Sequence, residues 1–126
     1  CFESDIVLDW ERTARAAGNK LPIRIGIPGP ATIKTLLRFA QISGIGPSMR
    51  FISKQARNVA KLMTVQSPHL LLDGLAQGMA VDPDCLIRHF HFYPFGGFAK
   101  TAAYAQAIAN GKIETLPKGG FEVFAA

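Results

Sequence analysis

Apolar and polar positions recur along this chain with two different periods, and the changes of period mark out its elements. From Ser4 to Ala17, Ile6, Val7, Trp10, Ala14 and Ala17 return at helical spacing. Ser4 stands where a cap is expected and Asp5 falls in the first turn, with Gly18-Asn19 as the stop. From Leu21 to Ile27 the period becomes two: Ile23, Ile25 and Ile27 alternate with Arg24 and Gly26, which predicts a strand. Pro28-Gly29-Pro30 ends it, because a proline cannot donate to a ladder.

Helical spacing returns at Thr32 to Ser43, with Ile33, Leu36, Leu37 and Ala40 as the buried stripe and Gly44 as the stop. A third helix is expected from Ser48 to about Met63. It would bury Phe51, Ile52, Val59 and Leu62 and wet Lys54, Arg57 and Lys61. Ser67-Pro68 reads as a cap and a first-turn proline ahead of a fourth helix carrying Leu71, Leu72, Leu75 and Met79. Asp82-Pro83-Asp84 is a turn. Leu86 to Tyr93 is dense in β-formers and predicts the second strand, broken by Pro94-Phe95-Gly96-Gly97. Ala99 to Asn110 is an alanine-rich helix closed by Gly111. Lys112 to Ala126 has no clear period and is expected to be a tail that packs loosely or pairs with something absent.

Helices alternating with strands imply an α/β fold with parallel strands joined by helical crossovers. Two parallel strands alone cannot form a sheet buried on both faces. A complete (β/α)8 barrel takes about 250 residues, and this chain has 126. The expectation is a piece of a longer protein, with upstream βα units. The first residue, Cys1, points the same way.

Composition narrows the class. Apolar residues make up 48% and charged residues 18%, which fits a folded chain and not a disordered one. No apolar run approaches the roughly 20 residues that span a bilayer, so no membrane association is expected. The net charge of +5 is moderate; its nearest cluster, Arg50, Lys54, Arg57 and Lys61, reads as a solvated helix face and not a nucleic-acid stripe. Two cysteines, Cys1 and Cys85, give no disulfide framework and no metal spacing, so a cytoplasmic setting is expected.

In α/β folds chemistry collects at the carboxyl ends of strands. Here those ends are Pro, Gly and aromatic residues, which let a flat ligand approach the backbone and stack on a ring. They supply no nucleophile or general acid. His89 and His91 share a strand face, but no third ligand lies near in sequence, and satisfied core histidines are expected instead of a metal site. Gly26 to Gly29 and Phe95-Gly96-Gly97 match neither the Walker A pattern nor the dinucleotide fingerprint. Phe90, Phe92 and Phe95 suggest base stacking, but the sheet that uses it is antiparallel. Phe39 falls beside the stripe of Ile33, Leu36 and Ala40, and periodicity alone leaves core filling and ligand contact both open.

Pro28-Gly29-Pro30, then Leu-Leu-Arg-Phe39-Ala40, the Gly44 to Pro47 turn, and Phe90-His-Phe-Tyr93 ahead of a helix occur in an order that resembles methylenetetrahydrofolate reductase. The resemblance runs from about Leu21 to Ile108. It implies the C-terminal portion of a (β/α)8 TIM barrel: the last two strands with their helices, residues 1–126 belonging to a single reductase domain with 112–126 as its tail. It implies FAD and NAD(P)H as cofactors, a folate substrate, and reduction of 5,10-methylenetetrahydrofolate to 5-methyltetrahydrofolate. Phe39 matches an aromatic that packs on folate or nicotinamide, and Thr35 a polar substrate contact that is Gln in some members. Tyr93 belongs to the matching strand end. Gly97 falls where some members carry an Arg, and Lys100 is the nearest replacement cation. The family's general acid and most flavin contacts would lie upstream, so no catalytic residue is assigned in this chain, which is expected to be inactive alone. Homo-oligomerisation at full length is left open. The alternatives are another TIM-barrel enzyme with a phosphate-bearing substrate held by the loops after these two strands, and a small basic α/β module that binds without catalysis.

Overall fold

The structure, a computed structural model, describes residues 3–44, 65–95, 97–117 and 120–123. The expected helix at 48–63 and its basic cluster lie outside the described residues, as does Gly96. The described elements run α1 (Ser4–Ala16), β1 (Ile23–Pro28), β2 (Ala31–Thr32), α2 (Ile33–Ser43), β3 (Val65–Gln66), α3 (His69–Val81), β4 (Ile87–Tyr93), α4 (Phe98–Ala109), β5 (Ile113–Thr115) and β6 (Phe121–Val123). This is a mixed α/β fold of four helices and three two-stranded sheets among the described residues.

The expected pair of strands is parallel. β1 and β4 run from Ile23↔Ile87 to Pro28↔Tyr93. A bulge separates the first pair from Arg24↔His89, leaving Arg88 as the extra residue. Its guanidinium turns back to the carbonyls of Cys85 and Ile87. The bulge has a packing consequence. Ile87 and Phe90 are three positions apart and would face opposite sides of a regular strand; one inserted residue puts both on the same side. There Ile25, Ile27 and Ile87 pack with Val7 of α1, Leu71, Leu72 and Leu75 of α3 and Tyr104 of α4, and Phe90 and Phe92 join the margin. The alternate positions Arg24, Gly26, His89, His91 and Tyr93 lie outside that core.

α1 is turned from the face its periodicity predicts. Val7 and Glu11 are buried, while Ile6 is 59% and Trp10 is 53% exposed. The cause lies on α3, where Gly74 and Gly78 sit one turn apart. A Cβ at Gly74 would stand 2.3 Å from Ser4 Oγ, and one at Gly78 2.4 Å from a Leu8 methyl. The helices close on that glycine stripe, which sends Ser4 and Leu8 into α3 and leaves the next positions outside. Ser4 is therefore inside α1 and not its cap; Glu3 holds the N-cap position without a side-chain bond. Pro68, not Ser67, is the N-cap of α3.

Glu11 is an acid at 1% exposure. Its carboxylate accepts the Leu86 N–H at 3.0 Å and an Arg15 N–H at 3.1 Å. Arg15 also donates to both oxygens of Asp82, at 2.6 and 3.3 Å. That bond holds the Asp82 carboxyl below its ordinary pKa. The trio ties α1 to the turn before β4.

The Thr32 hydroxyl caps α2 by accepting the Thr35 N–H at 3.2 Å, and Gly44 closes the helix at φ 65°. Ala31, Ile33, Leu36 and Ala40 make a second cluster with Leu37 and Phe95. The antiparallel β2–β3 pair, two residues a side, carries no sequence period long enough to foresee.

The C-terminal region is more ordered than its sequence suggests. β5 and β6 pair with each other, antiparallel from Ile113↔Val123 to Thr115↔Phe121. Phe121 is buried in the main core, and Asp73 of α3 accepts the Gly120 N–H at 2.9 Å. Residues 113–115 and 121–123 thus pair with each other, and Gly120 and Phe121 join them to α3 and the core; 118–119 and 124–126 of the expected tail lie outside the described residues. No helix among the described residues is long and apolar enough to cross a membrane.

Candidate functional site

The carboxyl ends of β1 and β4 stand side by side, and both turn sharply there. Pro28 is the last residue of β1, and Gly29 continues the ladder by donating to the Tyr93 carbonyl at 2.9 Å. The same carbonyl accepts the Phe95 N–H at 3.1 Å, which folds the chain back just beyond β4. Gly29 is required by close approach. A Cβ there would lie 2.3 Å from Thr101 Oγ1, because the second turn of α4 docks onto the β1 end. Thr101 is buried, and its hydroxyl has no hydrogen-bond partner among the described residues.

These turns line up Tyr93, Phe95 and Phe39 in a row, with His91 against its first ring. His91 and Tyr93, two apart on β4, meet edge-on with centroids 4.9 Å apart. Tyr93 lies 6.3 Å from Phe95 at a tilt of 33°. Phe95 in turn lies 4.9 Å from Phe39 of α2. Both end rings of the Tyr93–Phe95–Phe39 run stay open: Tyr93 is 49% and Phe39 is 37% exposed. Phe39 is not among the residues that build the α2 cluster. An aromatic row with an exposed face suits a planar, largely apolar ring system, by offset stacking or edge contact.

On the same side of the strands as Tyr93 lie Arg24, His89 and His91, all exposed, so the two histidines are not the core residues expected from sequence: the register puts them on the face opposite the isoleucines. All three can donate hydrogen bonds. Among the described residues no three His, Cys, Asp or Glu side chains gather as a metal site would need.

The residues expected from sequence divide into two groups. Phe39 and Tyr93 are brought into one row, with Phe95 between them. Thr35 lies one turn before Phe39 on α2, but its amide and hydroxyl both engage Thr32, the hydroxyls 2.9 Å apart. Gly97 is the N-cap of α4, where a Cβ would meet nothing within 4 Å, and Lys100 is exposed in that helix's first turn. No hydrogen bond, ion pair or ring contact among the described residues joins Lys100 to the row. Phe95 is expected from sequence as a stacking ring in the loop after β4, and the structure places it between Phe39 and Tyr93. Its linking role depends on α2 and β4 meeting in space, which no local pattern announces.

No protein-family model matches this chain.

Proposed function

We propose that this chain is the closing portion of a (β/α)8 flavin-dependent reductase resembling methylenetetrahydrofolate reductase, with the aromatic row as part of the wall that receives the folate. The observation that carries the proposal is one-sidedness. Among the described residues, every helix that contributes to the main core packs on one face of the parallel pair, while the other face carries Arg24, His89, His91 and Tyr93. Doubly wound sheets are covered on both faces; barrels put helices outside and side chains inside. Support also comes from the row's position at the carboxyl ends of the strands, where barrel enzymes hold their ligands.

FAD, when bound, supplies a hydride relay from NAD(P)H to 5,10-methylenetetrahydrofolate. The exposed rings of Tyr93 and Phe39 fit a flat heteroaromatic laid against them. The residues expected to hold the flavin phosphates and to donate the proton belong to upstream strands. This chain's part is to orient: Phe39 and Phe95 present a ring face, and Tyr93 forms the surface beside it. Thr35, Gly97 and Lys100 remain the substrate contacts that the resemblance implies, at the starts of α2 and α4. A cytoplasmic enzyme with a folate substrate belongs to the same proposal, which leaves the oligomeric state open.

The test is purification of the protein from its complete coding sequence. The expected product is yellow, with a flavin spectrum, and oxidises NAD(P)H. A colourless product whose upstream region contains no βα repeats would remove the proposal.

A further inference from the structure

Tyr93 does not stand out from the sheet. It pairs with Pro28, while Gly26 pairs with His91 two residues earlier. Yet the Tyr93 ring leans back along β1 until it covers Gly26. The position that a Cβ at residue 26 would occupy lies 2.3 Å from Tyr93 Cε2, 2.9 Å from its Oη and 3.0 Å from Cζ. The ring therefore occupies the space that any other residue at position 26 would fill. His91 holds one side of it edge-on at 4.9 Å, and Phe95 stands 6.3 Å away on the other. Half of the ring remains exposed.

We propose that Gly26 is a positioning residue that sets the depth of the aromatic site: it lets Tyr93 recline as a floor, with Phe95 and Phe39 rising as the adjoining wall, and so admits a planar heteroaromatic ring. The proposal rests on reading the row as ligand-facing. The clearance fixes the scale. Carbon atoms in contact prefer about 3.5–4.0 Å, so a methyl at position 26 lifts the ring edge by more than about 1 Å. A ring contact of this kind is worth up to about tenfold in affinity, and a ring pushed off its contact distance loses it. A floor contacts the ligand equally in the ground and transition states, so its loss raises KM and spares kcat.

The experiment uses the full-length protein and four forms: parent, Gly26→Ala, Tyr93→Ala and the double variant. Three readouts are taken: folate kinetics, flavin content, and the rate at which tetranitromethane nitrates Tyr93, located by peptide mass. Gly26→Ala is expected to raise KM for 5,10-methylenetetrahydrofolate about tenfold with kcat and flavin content unchanged, and to speed nitration of Tyr93. Adding Gly26→Ala to Tyr93→Ala should change nothing further, since the colliding ring is gone. If Gly26→Ala alone fails to fold, the double variant must recover folding and match Tyr93→Ala. A parent KM and nitration rate in Gly26→Ala, or an equal loss in the Tyr93→Ala background, would overturn the proposal. A parent enzyme without folate turnover defeats the folate reading alone; nitration and the recovery of melting temperature in the double variant then decide the Gly26–Tyr93 coupling.

Discussion

Replacing Glu11 with alanine is expected to cost about 3 kcal/mol of stability, several times the roughly 1 kcal/mol typical of point substitutions. The size follows from what the carboxylate does. One oxygen is the acceptor for the Leu86 N–H at the entry to β4, and the other meets Arg15. Removing one partner of a buried pair costs about 3–5 kcal/mol because the other is left uncompensated. The low end applies here because Arg15 keeps Asp82 and is partly in water. Glu11→Gln retains a carbonyl oxygen for Leu86 and should lose less. Equilibrium urea unfolding of the two variants measures the difference. Equal, small losses would mean that the α1-to-β4 tie contributes little.

Replacing Phe39 with alanine is expected to lower kcat/KM for the folate about tenfold while leaving flavin bound and the fold intact. A stacked or edge-on aromatic pair contributes about 0.5–1.5 kcal/mol beyond its buried area, and 1.36 kcal/mol corresponds to one decade in rate. A phenylalanine filling a core would behave otherwise, losing about 3–5 kcal/mol of stability on truncation. The open face of Phe39 and its ring contact with Phe95, the one it makes among the described residues, support the first outcome. Melting temperature, flavin absorbance and folate kinetics on one preparation separate the two. Early melting with flavin loss and parent kinetics in the folded fraction would make Phe39 a core residue.

Much of the fold was legible because local patterns agree with what they pack against. Ile25 and Ile27 alternate with Arg24 and Gly26, and the core takes the isoleucines. Gly44 ends α2 in the left-handed conformation expected after Ser43. The misreadings share a cause: each depends on a neighbour distant in sequence. The burial of Glu11, outside the apolar stripe of α1, likewise answers a distant group: the Leu86 N–H, 75 residues away, which it accepts. Trp10 looks like core until Gly74 and Gly78 draw α1 in by another face. Phe121 seems part of a structureless end, because three-residue strands are too short to show a period. The site divides likewise. The family resemblance points to Phe39 and Tyr93, and the aromatic strand-end loop to Phe95 as a stacking ring; that Phe95 links the two, and that Gly26 lies beneath Tyr93, emerges only once β1, β4 and α2 are set side by side.

The most direct measurement of the central claim is anaerobic and optical. The full-length protein is reduced with NAD(P)H until its flavin absorbance bleaches, excess nucleotide is removed, and 5,10-methylenetetrahydrofolate is added. The proposal predicts that the flavin band returns with stoichiometric formation of 5-methyltetrahydrofolate, and that Phe39→Ala slows the return. A reduced flavin that stays bleached in the presence of the folate, or a protein that carries no flavin to bleach, would contradict it.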